Sequence, residues 1–223
     1  MQREITSGFR LSPQQTHLWT LQHERAEMPK RAHCLITIEG ELNVEVVRRA
    51  VEVVAQRHDA LRLTFQRLPG MTVPLQVLSQ STAVWSSAET PSETLHASLT
   101  VLSPVKHQLL LSVPALCADE RSLQNLAREI GVAYETYLEG RESAEEPLQY
   151  LTASEWLNEL LESEEAAGGK QYWRERNISA ALELKLPSER TPTAIDEFAP
   201  RSSARPYCAY TSQRAVLPNA SNS

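Results

Sequence analysis

Two short stretches concentrate the side chains that could move a proton or attack a carbonyl. The first is RHDALRLTF (57–65), where Arg57, His58, Asp59 and Arg62 crowd together beside apolar Leu61 and Phe65. Charge sits tightly here, at a helix-to-strand junction flanked by core positions. The same spacing also describes a solvated helix end, where the last turn favours cations. The second stretch is LLLSVPALCADERSL (109–123), an apolar run that ends in Pro114-Ala115 and is followed by a loop with Cys117 and Asp119. A strand that delivers a loop to a helix N-terminus is a common seat for a site, yet this loop contains no base. Cys117 is a candidate nucleophile, but no histidine lies near it in sequence, and a lone thiol between Leu116 and Ala118 is more often a core-packing residue. Asp119 and Ser122 both have the chemistry of a helix N-cap.

The remaining histidines and cysteines are scattered. His17, His23, His33, His58, His96 and His107 show no metal-ligand spacing, and His17 and His23 fall on opposed sides of one helix. His107 lies upstream on a strand, about 20 Å from the far end of the Pro114–Asp119 loop at the usual rise per residue. Cys34, Cys117 and Cys208 form neither a disulfide framework nor a zinc knuckle. No phosphate-cradling glycine motif and no GxSxG element occurs.

The elements that must position these residues follow from periodicity. Ser12-Pro13 opens a first helix, with serine as cap and proline at the position whose N–H would go unpaired. Residues 33–39 alternate and predict a half-buried strand. Asn43 caps a helix with Val44, Val47, Val51 and Val54 on one face. Strands are expected over 61–65, 73–78, 97–102 and 108–113, the last almost wholly apolar and therefore central in its sheet. Leu123, Leu126, Ile130, Ala133 and Tyr137 form a helical stripe stopped by Gly140. An acidic helix follows over 148–162, carrying Leu151 and Trp156. Gly168-Gly169 is expected to separate it from a short helix whose Tyr172-Trp173 serves as a packing anchor. From Pro187 onward five prolines, many serines and little periodicity predict a crossover or loose tail.

Length and composition set outer bounds. With 223 residues, 41% of them hydrophobic and 22% charged, the chain can bury one real core. A net charge of −6 argues against a broad nucleic-acid surface. No apolar run reaches the ~18 residues of a membrane span, and the polar start MQREITSGFR lacks a secretory core, so a cytoplasmic location is expected.

Taken in order, these stretches resemble the condensation domains of nonribosomal peptide synthetases. Their opening signature, Ser-x-Ala-Gln-x-Arg-Leu-Trp-x-Leu, is matched here by Ser12, Gln15, Leu18, Trp19 and Leu21, with Gln14 and His17 departing. Their Arg-His-Glu-x-Leu-Arg-Thr-x-Phe element aligns without a gap on 57–65, with Asp59 conservative and Leu63 departing. Tyr150 and Trp156 hold the ends of Tyr-x-Asp-Phe-Ala-x-Trp, and Tyr172-Trp173 with LPSERTP resembles the exit towards a second lobe. The third signature, His-His-x-x-x-Asp-Gly, is degenerate. Aligned on Asp119, its histidines fall on Pro114 and Ala115 and its glycine on Glu120.

The resemblance implies an α/β fold, a two-layer sandwich of a mixed sheet with packed helices, like one chloramphenicol-acetyltransferase-like lobe of a condensation domain. It implies a lobe over 1–186 and, over 187–223, the start of a second lobe. The family is an acyl or aminoacyl transferase that forms amide bonds. With both histidine positions lost, the chain is expected to be inactive alone, a pseudoenzyme acting as a structural or docking element. Implied partners are a peptidyl or acyl carrier protein with its phosphopantetheine arm, neighbouring synthetase modules and a complementary second lobe, without nucleic acid, membrane, bound cofactor or metal. Asp119, Arg62 and Ser122 are then remnants of the motif, and the family pattern places Arg62 and Asp119 in an ion pair beneath the loop. The alternative is an acyltransferase completed by a lobe from another chain, with His58, His107 or Cys117 as its base or nucleophile.

Overall fold

A computed structural model describes residues 8–23, 30–80, 84–85, 94–141 and 146–176. The chain divides into two units, Met1–Glu189 and Arg190–Ser223. All described residues belong to the first. The expected tail over 187–223, with Cys208, lies outside them.

The core is one face of a four-stranded mixed sheet covered by two helices. The strands are β1 (Arg31–Glu39), β4 (Val84–Trp85), β5 (His96–Ser103) and β6 (Lys106–Pro114), in the order β1-β6-β5-β4. Both neighbours of β6 run antiparallel to it, whereas β4 runs parallel to β5. The apolar run at 108–113 is therefore central, as its composition predicts. A separate hairpin pairs β2 (Leu63–Gln66) with β3 (Leu75–Leu78), and Phe9 bridges to Gln76 at its edge.

Period-two alternation places Ala32, Cys34, Ile36 and Ile38 of β1 on the core face, with Leu109, Leu111 and Val113 of β6. Against them lie α2 (Val44–Arg57), through Val47, Val51 and Val54, and α3 (Glu120–Leu138), through Leu123, Leu126 and Ile130. Each helix starts where a side chain can hold a free amide. Asn43 Oδ1 accepts from Val46 N at 3.2 Å, and Asp119 Oδ1 accepts from Ser122 N at 2.8 Å. Helix α3 stops at Gly140 (φ 68°), where the amides of Gly140 and Arg141 return to the carbonyls of Tyr137 and Thr136. This is the α/β two-layer arrangement of sheet and packed helices that the periodicities predict.

The elements outside this sandwich include α1 (Pro13–His23), a 3-10 turn at Asp59–Arg62, α4 (Tyr150–Glu162) and α5 (Ala167–Glu175). Two expectations fail here. Gly168-Gly169 lies inside α5 rather than before it, in open space where even an added Cβ would meet nothing. Tyr172 and Trp173 are 49% and 67% exposed and touch each other edge-on, so they anchor no packing among the described residues. Trp156 is likewise 62% exposed on α4.

Candidate functional site

The residues that carry the resemblance converge on the end of β6. Ser12 and Gln15 form a capping box at the start of α1: Gln15 N donates to Ser12 Oγ at 3.2 Å, and Ser12 N donates to Gln15 Oε1 at 2.9 Å. The Gln15 amide then donates through Nε2 to Gln76 Oε1 at 2.9 Å and to the Leu116 carbonyl at 3.1 Å, inside the loop after β6. Gln76, fully buried on β3, donates to the Arg10 carbonyl at 2.7 Å. Tyr150 Oη donates to Ser12 Oγ at 2.9 Å. The opening signature is thus a buried polar clamp on the loop 115–118.

Asp59 supplies the second clamp. Its carboxylate, almost fully buried, accepts from the amides of Tyr150 and Leu151, each at 3.0 Å, and so caps α4 from 91 and 92 positions away. Gln149 completes the joint, accepting from Asp59 N at 3.0 Å and donating to the Arg57 carbonyl at 2.9 Å. A carboxylate engaged by two backbone amides is a positioning group. The crowded charge of 57–62 therefore orients α4 against the loop scaffold.

The two positions where the resemblance places histidines carry no proton-transfer group. Pro114 ends β6 opposite Arg31, and Ala115 N donates to the Lys30 carbonyl at 2.9 Å. Neither side chain can accept a proton. Cys117 N returns to the Pro114 carbonyl in a tight turn. Burial pushes the Cys117 thiol up to about 12, Arg31 opposing and Asp59 adding to the shift. A thiol held neutral in this way is a poor nucleophile. Asp119 stands exposed at the start of α3, its carboxylate held below the usual range by the hydroxyl (2.6 Å) and amide (2.8 Å) of Ser122.

The expected ion pair between Arg62 and Asp119 is not made. Asp119 turns its carboxylate back onto the first turn of its own helix, and no ion pair among the described residues includes Arg62. Arg62 ends the 3-10 turn with its Nε buried and unpartnered. His58 Nε2 meets Glu129 Oε2 at 2.7 Å, about 14 Å along α3 from its start at the helical rise. His107 is buried at the opposite end of β6, beside Ile38 and Val101 and seven residues before Pro114. None of the three alternative candidates comes to the loop with a usable group.

The imidazoles that the register does bring near it are ones that spacing did not select. His33 and His96 flank Ser112 across the sheet, two residues before Pro114. Arg31 lies over the same corner, donating through Nε to Ser112 Oγ at 2.7 Å and through Nη2 to the carbonyls of Thr94 and Ser112. His96 is buried, with Nε2 lacking a hydrogen-bond partner. Only strand register reveals this row, because its members come from three separate strands. No group of three metal-ligating side chains occurs among the described residues, and no described helix is long and apolar enough to cross a membrane.

Comparison with known proteins agrees with this architecture. A family model described as "Condensation domain" matches residues 89–206. The AMB antimetabolite synthetase AmbE of Pseudomonas aeruginosa is 30% identical over 209 residues, 80% of this chain and 9% of that protein. A dimodular nonribosomal peptide synthase of Bacillus subtilis is 27% identical over 208 residues, 80% of this chain and 9% of that protein. The chain therefore spans a small fraction of the curated relatives it matches. Among solved structures, the starter condensation domain of rhizomide synthetase RzmA superposes with a TM-score of 0.63 at 17% identity, covering 76% of this chain and 48% of that one. The X-domain from teicoplanin biosynthesis, solved in complex with OxyB, gives 0.58 at 23% identity, covering 74% and 40%. With the family model matching more than half of its length, the loop clamp of Ser12, Gln15, Asp59 and Tyr150 falls into place: this chain belongs to the condensation-domain family.

Proposed function

We propose that this lobe serves a nonribosomal peptide or hybrid polyketide assembly line without forming the amide bond itself, as a structural or docking element. The observation that carries the reading is the end of β6. The scaffold that fixes the loop is intact, while the two positions where the family resemblance places histidines hold Pro114 and Ala115, and Cys117 is kept neutral by burial. Condensation chemistry needs a group that hydrogen-bonds the attacking amine, and it needs two thioester arms held in register. An intact clamp around a reacting position without a base supports a retained shape with altered use. A neighbour of the same fold, the X-domain, is known in complex with another protein, OxyB, which supports the fold as a docking body.

The partners that this reading implies are a peptidyl or acyl carrier protein, whose phosphopantetheine arm brings the substrate, and the neighbouring modules. A second lobe would complete the walls around the loop. The remnants Asp119 and Ser122 then act as the N-cap of α3, and Arg62 as part of the turn that carries Asp59.

A second reading is favoured by one observation: His96 is buried, unpartnered at Nε2 and one pleat from Pro114. An acyltransferase using this lobe would find its base there rather than at His58, His107 or Cys117. Titration of the chain with a carrier protein bearing an aminoacyl-pantetheine arm separates the two. The docking reading predicts saturable binding with the thioester intact. Thioester turnover that His96→Phe abolishes would replace it with the acyltransferase.

A further inference from the structure

A short segment ahead of α1 is bonded residue by residue and leads to the loop after β6. Phe9 exchanges both backbone bonds with Gln76 of β3, each at 2.8 Å. Arg10 N donates to Glu155 Oε1 at 3.1 Å, and its guanidinium meets Glu162 at 2.6 Å and Glu155 at 3.4 Å. Asn158 Nδ2 donates to the Leu11 carbonyl at 3.0 Å. Residues 8–12 are thus a strap laid between the β2–β3 hairpin and α4. Its two halves differ. Leu11 and Ser12 are buried, whereas Gly8 and Arg10 are exposed, and ion pairs at the surface add little. The outer half is therefore the one that opens first.

From the strap, two buried amides run to the loop in one direction. Gln76 Nε2 donates to the Arg10 carbonyl at 2.7 Å, and Gln76 Oε1 accepts from Gln15 Nε2 at 2.9 Å. Gln15 Nε2 also donates to the Leu116 carbonyl at 3.1 Å. Both side chains are buried, so solvent does not stand in for a lost partner. An amide has a donor end and an acceptor end, which gives the relay two discrete arrangements. In the observed one every member is satisfied. If the Arg10 carbonyl withdraws, Gln76 is left with a buried donor lacking an acceptor, and turning both amides restores a bond between them. That reversal aims Gln15 Oε1 at Gln76, taking the acceptor from Ser12 N and the donor from the Leu116 carbonyl. We propose that residues 8–12 are a latch on the loop 115–118. With the strap seated the relay holds Leu116, and with the strap lifted the relay reverses and the loop is released. Linkage makes the effect reciprocal, so a partner that draws Leu116 away from Gln15 loosens the strap by the same factor. The use of this latch rests on the docking reading, in which a carrier arm comes to this loop, whereas the coupling belongs to the chain alone.

Native-state hydrogen exchange on the whole chain, without a carrier, tests the coupling at the amides of Ala115 and Cys117, which bond to the Lys30 and Pro114 carbonyls. Gly8→Val lifts the strap from β3, because a Cβ at Gly8 would stand 2.8 Å from Leu75 Cδ1 and 3.1 Å from Leu75 Cβ. Glu155→Ala loosens it from the α4 side by removing the acceptor of Arg10 N and one of the two ion pairs of Arg10. Gln76→Met keeps the side-chain length and the backbone bridge to Phe9 but cuts the relay. Each strap variant should speed exchange at Ala115 and Cys117 about tenfold, the factor for losing about one neutral hydrogen bond, while the amides of β6 stay protected as in wild type. In the Gln76→Met chain the loop already exchanges fast, and adding either strap variant should change it by less than about twofold. Variants that speed exchange at Phe9 yet leave the loop at its wild-type rate would overturn the proposal. So would a full tenfold effect of the strap variants in the Gln76→Met chain, since strap and loop would then communicate without the relay. If Gly8→Val also exposes β6, Glu155→Ala decides by the same two criteria. Failure of a carrier to bind, with the coupling intact, would count against the docking reading and leave the latch standing.

Discussion

Replacing Asp59 by alanine isolates the joint between the charged turn and α4. In the native chain the carboxylate accepts from the amides of Tyr150 and Leu151 at 3.0 Å each, and the residue is 5% exposed. Alanine deletes both acceptors and leaves two first-turn amides facing a small void. Loss of an N-cap costs about 1 kcal/mol, and hydrogen bonds to a charged group are each worth about 1.5–3 kcal/mol. Because both amides are screened from water, the sum lands near ~3 kcal/mol, a large share of the roughly 5–15 kcal/mol that holds a typical domain together. Asp59→Asn keeps one acceptor oxygen but turns a donor towards the second amide, so about half of that loss is expected. Urea unfolding followed by circular dichroism, with the slope m unchanged, reads the difference directly. A loss below about 0.5 kcal/mol for Asp59→Ala, the scale of an ordinary surface substitution, would show that Asp59 does not hold α4 and would remove the second clamp from the account.

Gln15 and Gln76 share one buried amide–amide bond, so a double-mutant cycle to alanine should return a coupling of about 1–2 kcal/mol, and additivity would deny the clamp. Cys117 should alkylate slowly: burial pushes its thiol up to about 12, so far less of it is thiolate at pH 8 than of a free cysteine, and timed labelling followed by mass spectrometry should find it reacting well behind the same thiol in the unfolded chain. Its native proton is held more tightly than in the unfolded chain, so stability should fall as pH rises from about 9 towards 12. The Asp119 carboxylate is held low by Ser122, so its contribution is present at neutral pH and lost as pH drops through the acid range; Asp119→Ala should cost about 1 kcal/mol at pH 7 and nothing below both carboxylate pKa values.

The parts of this fold that were legible in the sequence are those set by local period. Val47, Val51 and Val54 announce the buried face of α2, Leu123, Leu126 and Ile130 that of α3, and Asn43, Asp119 and Gly140 mark ends because caps act within three or four residues. The apolar run 108–113 reads as central because a strand buried beneath helices and flanked on both sides loses its polar alternation. What stayed hidden depends on partners far apart in the chain. Asp59 reads as a charged helix end, since the amides it caps lie beyond position 149. Gln15 and Gln76 are polar residues with no periodic reason to be buried. The row His33, Ser112 and His96 exists only through register. Tyr172 and Trp173 mislead in the opposite direction, being large and exposed where residue type alone suggests a packing anchor. The Arg62–Asp119 pair failed because a helix-capping carboxylate satisfied itself locally.

Transfer between two carrier-bound aminoacyl thioesters decides whether this lobe forms an amide bond. The chain is mixed with donor and acceptor carriers, and labelled dipeptidyl thioester is followed over time against a no-protein control. No rate above that control is expected, and no rescue by Ala115→His alone. General acid–base help is worth about 10²–10⁴ in rate, and a single imidazole set beside Pro114 does not by itself restore the orientation that makes it effective. Turnover by the unmodified chain that disappears on changing His96, His58, His107 or Cys117 would contradict the account and establish this lobe as a working acyltransferase.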